Sequence, residues 1–233
     1  MDINDERIMA AVKNTEIIRP PKQSLATFGT TSIYYYLITE PAYSGFTGNK
    51  NETVIREGKI IAEKPKIVTP YYLTHLEGFS AGAKRYLEML IATVGAYTPG
   101  LLYSYRNEPK ELNIVSEKLI AVVDKLNAEL DRKGDPLVSI IRAEDELWDV
   151  SLMKFIYELT RNSVSSNMQE MGERGLFHTD AAGVPADARM RIEESFNRVA
   201  HGNADPSELK AELDRWGLWD EYQDRFLAMF RRR

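Results

Sequence analysis

The sequence predicts an α+β fold, with a small antiparallel sheet in the N-terminal half packed on a predominantly helical C-terminal body. Three observations carry this reading. Ser32–Thr39 is a dense run of β-branched and aromatic residues, which suits a pleated surface. Leu119, Val122, Leu126 and Leu130, then Trp148, Leu152, Phe155 and Leu159, recur at helical spacing. Asp205-Pro206-Ser207-Glu208 combines an N-cap residue, a proline at the first helical position and an acid three residues on. Residues 1–115 read as a mixed, Tyr-rich region and 116–233 as a helical region. No flexible linker divides them, so one continuous domain is the alternative organisation.

Taken in order, residues 3–13 suit a short helix and Pro20-Pro21 an extended connection. In the strand 32–39, Ile33, Tyr35 and Leu37 share one face and Tyr34, Tyr36 and Ile38 the other, which predicts cover on both sides. Thr53–Arg56 and Lys59–Ala62 flank Glu57-Gly58 and read as a hairpin, with Gly58 supplying a positive φ. Ile67-Val68 continues the sheet. Thr69-Pro70 opens a short helix, and Ser80 caps a longer one carrying Ala83, Leu87, Leu90, Ile91 and Val94 on one side, ended by Gly95 or Pro99-Gly100. Leu101–Arg106 and Leu112–Val115 read as a second hairpin around Asn107–Lys110. Ser116 caps the helix that stops at Gly134, and Asp135-Pro136 opens the next helical region. Residues 172–184, with three glycines, form a connector. Val184-Pro185 starts a helix bearing Ile192, Phe196 and Val199. The last two helices, with Leu209, Leu213 and Trp216 and then Trp219, Tyr222, Phe226 and Phe230, form an αα-hairpin.

The chain has 233 residues, 43% hydrophobic and 28% charged, a composition that builds a core without staples. It contains no cysteine, which excludes disulfides, thiolate metal sites and cysteine nucleophiles. The acidic start Met1–Arg7 lacks an apolar h-region and no 18-residue apolar run occurs, so neither a secretory signal nor a membrane span is expected and the expected location is the cytoplasm. The net charge is −5 with no basic block, which argues against a nucleic-acid partner. The Arg231-Arg232-Arg233 tail is too short to alter that.

Gly78-Phe79-Ser80-Ala81-Gly82 fits the G-x-S-x-G nucleophile elbow, in which a strand turns sharply into a helix and lifts a serine hydroxyl. A helix follows Ser80, but no apolar strand precedes it. The acid–histidine pairs Asp149 with His178 and Asp180 with His201 are available only on paper. N-capping by Ser80 is therefore the favoured role. Gly45–Asn51 departs from a phosphate loop in both glycine spacing and the residue after Lys50. Glu144, Asp145, Glu146 and Asp149 read as acids that complement a helix start, and no metal or cofactor is expected.

Ten of the twelve tyrosines lie between Tyr34 and Tyr105. A cleft lined by Tyr71, Tyr72 and His75, with Arg85 and Arg106 as cations, would suit a small anionic or aromatic ligand. The alternative is a Tyr-rich core. The leading expectation for function is a non-enzymatic interaction or assembly protein, homodimeric or with an unknown protein partner. A ligand binder or enzyme at Tyr71, Tyr72 and His75 comes second, and a Ser80 hydrolase third.

Overall fold

The computed structural model describes residues 5–43, 51–77 and 80–230. The α+β expectation holds, with 47% helix and 23% strand. The chain forms two compact units. A sheet unit comprises the stretch up to Lys64 with Tyr103–Asn167, and a helix-rich unit comprises Pro65–Leu102 with the stretch from Met168 onward.

In the sheet unit, α1 (Asp5–Asn14) leads into β1 (Glu16–Arg19), β2 (Thr31–Glu40) and β3 (Thr53–Ala62). After the excursion into the other unit come β6 (Tyr105–Val115), α4 (Leu119–Lys133), β7 (Val138–Glu144) and the long helix α5 (Trp148–Glu173). The strand order is β1-β7-β2-β3-β6. The sheet is mixed rather than wholly antiparallel, because β7 runs parallel to β2, from Tyr34 opposite Val138 to Glu40 opposite Glu144.

Both faces of β2 are covered, as its two apolar faces require. Ile33, Tyr35 and Leu37 join Ile60, Ile141, Leu152, Phe155 and Leu159 on the α5 side. Ile38 joins Val122, Leu130 and Ile140 on the α4 side, with Tyr36 packed against them. Polar contacts fix the extended stretch before β2 to α5. The Ser163 hydroxyl accepts from Leu25 N–H at 3.0 Å, and the Asn167 amide donates to Leu25 O and Thr27 Oγ1.

Four expected elements take a different form. Ile67-Val68 does not continue the main sheet but pairs with residues 100–102 in a separate two-stranded one. Residues 53–62 are one strand, not a hairpin, and 105–115 are one strand, not a second hairpin. Gly58 lies inside β3 without a positive φ. It is small because the Tyr35 ring crosses it, and a Cβ there would sit 2.3 Å from Tyr35 Oη. The stretch read as helical after Asp135-Pro136 contains β7. The Asp135 carboxylate accepts from Leu137 N–H at 2.8 Å, so the same residues that cap helices here close a turn into a strand. Lys118, not Ser116, occupies the N-cap position of α4, which makes no side-chain capping bond.

The helix-rich unit holds the two-stranded sheet of β4 (Lys66–Val68) and β5 (Gly100–Leu102). Its helices are α2 (Pro70–Thr74), α3 (Ala81–Val94), the end of α5, α6 (Ala186–Ala200), α7 (Pro206–Arg215) and α8 (Trp219–Ala228). Thr69 caps α2 and Asp205 caps α7 through their side chains. Ile192, Phe196, Leu209, Leu213, Trp216 and Phe226 form the core expected for the final helices, whereas Phe230 is exposed.

A buried polar network ties this unit together. Arg191 donates to Asp187, Glu212 and Ile67 O, at 3.0, 2.7 and 3.2 Å. Glu212 also accepts from Tyr72 Oη and Trp216 Nε1. Burial works to raise the Glu212 pKa, but Arg191 and these donors overcome it and hold the carboxyl below its ordinary range. Burial, with Glu212 adding to it, pushes the Tyr72 phenol up to about 12.

Candidate functional site

The residues named from the sequence have separate placements. Tyr72 is buried in the network just described and its ring lies 4.7 Å from that of Trp216. Tyr71 on α2 and His75 at its C-cap have ring centroids 4.5 Å apart, and Tyr97 lies 5.6 Å from Tyr71. These rings pack against one another as an aromatic cluster. The His75 Nδ1 lies 2.9 Å from Tyr71 O. Tyr71 Oη is seated on Gly217, whose φ of +67° and lack of a Cβ accommodate it.

Arg85 is exposed on α3. Arg106 belongs to the sheet unit, on β6, where it pairs with Glu108 at 2.9 Å. Of the other clustered tyrosines, Tyr35, Tyr103 and Tyr105 also belong to the sheet unit and bond to Asn107, Asn167 and Thr160.

Ser80 is exposed and stands immediately before α3, the position of an N-cap. Gly78 and Phe79 of the elbow motif, most of the glycine loop at 45–51 and the arginine tail lie outside the described residues. Three of the four acids and histidines considered for a triad, Asp149, Asp180 and His201, have local partners for their side chains. Asp180 accepts from Ala182 and Val184 N–H and from Arg189, and His201 Nδ1 lies 2.7 Å from Asn197 O. Asp149 lies in the first turn of α5 and takes the N–H of Val150.

The acidic run before α5 borders an open cleft of about 630 Å³ at the carboxyl ends of β2 and β7, lined by Glu40, Arg142, Glu144, Asp145 and Glu146 among others. Asp145 is fixed there. It forms an ion pair with Arg56 at 2.8 Å and accepts from the Thr39 hydroxyl and Ala42 N–H, while Arg56 lies 5.5 Å over Trp148. Burial opposes its charge, but these bonds hold its pKa below the usual carboxylate range. Among the described residues no group of three or more His, Asp or Glu side chains is placed to hold a metal ion.

The feature that sequence reasoning missed is on α3. The helix is mostly apolar, yet Gly82, Tyr86, Met89 and Thr93 are exposed along one stripe at i, i+4, i+7 and i+11. Tyr86 and Met89 are each 64% exposed and Val94 44%. Leu87 and Ile91, from the side expected to face the core, are half-buried. The available signal was Tyr86–Val94, where Glu88 is the single charge, a run with no polar face to give to water.

No protein family, curated protein or solved structure matches the chain. Among the described residues no helix is long and apolar enough to cross a membrane.

Proposed function

We propose that the protein is a self-associating assembly protein and that α3 is its interface with a second copy. The observation that carries the reading is the exposed stripe of Gly82, Tyr86, Met89 and Thr93 on an apolar helix, since a monomer gains nothing by holding such a surface in water. The stripe is self-complementary. Two copies of α3 paired antiparallel about a two-fold axis set Tyr86 of each against Met89 of the other, a favourable sulfur–aromatic contact, and Gly82 against Thr93. Arg85 and Glu88 lie on the same flank of the stripe, so the same axis brings Arg85 of each copy toward Glu88 of the other.

Sedimentation velocity across about 1–100 μM tests this. The wild type is expected to sediment as an associated species. Tyr86→Asp/Met89→Asp, at exposed positions, is expected to lose the α3 contact with unchanged circular dichroism. Arg85→Glu is expected to weaken the contact, and Arg85→Glu/Glu88→Arg to restore it. Association unaffected by Tyr86→Asp/Met89→Asp, or a wild type that stays monomeric throughout, would overturn the proposal.

A further inference from the structure

The outer strand of the main sheet carries a second, independent surface. β6 is eleven residues long, and among the described residues β3 is its sole strand partner. Leu112 and Ile114 on it are 59% and 56% exposed. A long edge strand with exposed apolar side chains is a template for another strand.

The strand is not unguarded. Pro109 removes one backbone donor. The register against β3 also shifts, with Pro109 opposite Gly58 and Leu112 opposite Arg56. Lys110 and Glu111 therefore both stand opposite Glu57, a bulge that reverses the alternation of faces. Residues 105, 107 and 109 consequently share a face with 112 and 114.

β3, itself regular, keeps its faces matched on both sides of the bulge by setting Glu57 against two residues. A second β6 carries the same reversal at the same place and can match it residue for residue, and the charges at the bulge, Lys110 followed by Glu111, are complementary to themselves when the strand is reversed. When two β6 strands run antiparallel with Lys110 of each opposite Glu111 of the other, faces match along the whole length: Pro109 meets Leu112, Asn107 meets Ile114, and Glu108 meets Asn113. The centre of the pair then holds two reciprocal Lys110–Glu111 contacts of opposite charge beside a cluster of two Pro109 and two Leu112 side chains, the cross-strand pairs that stabilise a sheet.

We infer that the β6 edge pairs with the β6 edge of a second copy in this register, joining two five-stranded sheets. This stands without the α3 reading. Taken together with it, the chain carries two different two-fold interfaces, and such a chain assembles beyond a dimer into a closed ring or an open filament.

Sedimentation velocity on a set of variants separates the two interfaces. In the Tyr86→Asp/Met89→Asp background, where α3 is disabled, a dimer is expected. Adding Glu111→Lys should convert it to monomer by setting four lysines together, and adding Lys110→Glu/Glu111→Lys should restore it. In the otherwise wild-type chain, Glu111→Lys should leave an α3 dimer. A monomer in the α3-disabled background, with a wild-type dimer, overturns the β6 inference and leaves the α3 proposal standing. A wild-type dimer lost on Glu111→Lys alone does the reverse. A dimer in the α3-disabled background that survives Glu111→Lys also overturns the β6 inference.

Discussion

Gly58 and Tyr35 illustrate how one side chain sets another's identity. Tyr35 is 2% exposed in the sheet core, and its hydroxyl reaches Asn107 across the intervening strand at 3.0 Å. That path runs over Gly58, where an added Cβ would meet Tyr35 Oη at 2.3 Å and Cζ at 2.4 Å. A buried ring in a close-packed core has little room to retreat. Gly58→Ala is expected to cost about 1–3 kcal/mol or somewhat more, read as a drop in the urea midpoint at constant m. An unchanged midpoint would mean that Tyr35 swings aside freely. The sequence called for glycine here through its turn chemistry, and the residue was indeed required, but for space: the neighbour that fills it is 23 residues away and no local pattern points to it.

At the scale of elements, the Arg191–Asp187–Glu212 network joins β4, α2, α6 and α7 through the bonds from Ile67, Tyr72 and Trp216. Removing one member leaves buried charge without its partner, and Arg191→Met is expected to cost about 3–5 kcal/mol. The pH dependence follows from Glu212. Its folded-state pKa is depressed against an ordinary value of about 4.3. The stability it contributes is therefore fully present above that value and lost as pH falls through the lower folded pKa. Asp145, also depressed, acts in the same direction in the sheet unit. Chemical denaturation from pH 7 downward is expected to show falling stability below about pH 4.5, with a shallower acid slope in Glu212→Gln. An identical slope in the variant would remove Glu212 from the account. None of this network was legible in advance, because its members lie at 67, 72, 187, 191, 212 and 216 and meet only once the helices have docked.

At the scale of the whole molecule, burial differs sharply between elements. Ile33, Leu37, Ile60, Ile140 and Ile141 in β2, β3 and β7 are fully buried, while the described side chains of α3 are half-buried or exposed. Local stability follows buried contact. Native-state hydrogen exchange is expected to be slowest in those strands and fast in α3 in dilute solution, slowing in α3 as concentration rises and the second copy covers it. Exchange in α3 as slow as in β2 at the lowest concentration would show that the helix is secured by other means.

What the sequence determined by itself was whatever depends on near neighbours along the chain. The helix spacing of Leu119–Leu130 and Trp148–Leu159, the caps at Thr69 and Asp205, the stops at Gly134 and Gly217, Gly95 as one of the two stops open to its helix, and the two-sided strand at 32–39 are all present, since each rests on a period or a hydrogen bond spanning a few residues. Tertiary structure decided the rest. It drew 138–144 into the sheet beside β2, ran 53–62 and 105–115 through as unbroken strands, distributed the tyrosines between two units, and left the α3 stripe and the β6 edge in solvent. Each of these outcomes turns on which surfaces find a partner distant in sequence, and buried area is set by that partner rather than by the residues that seek it.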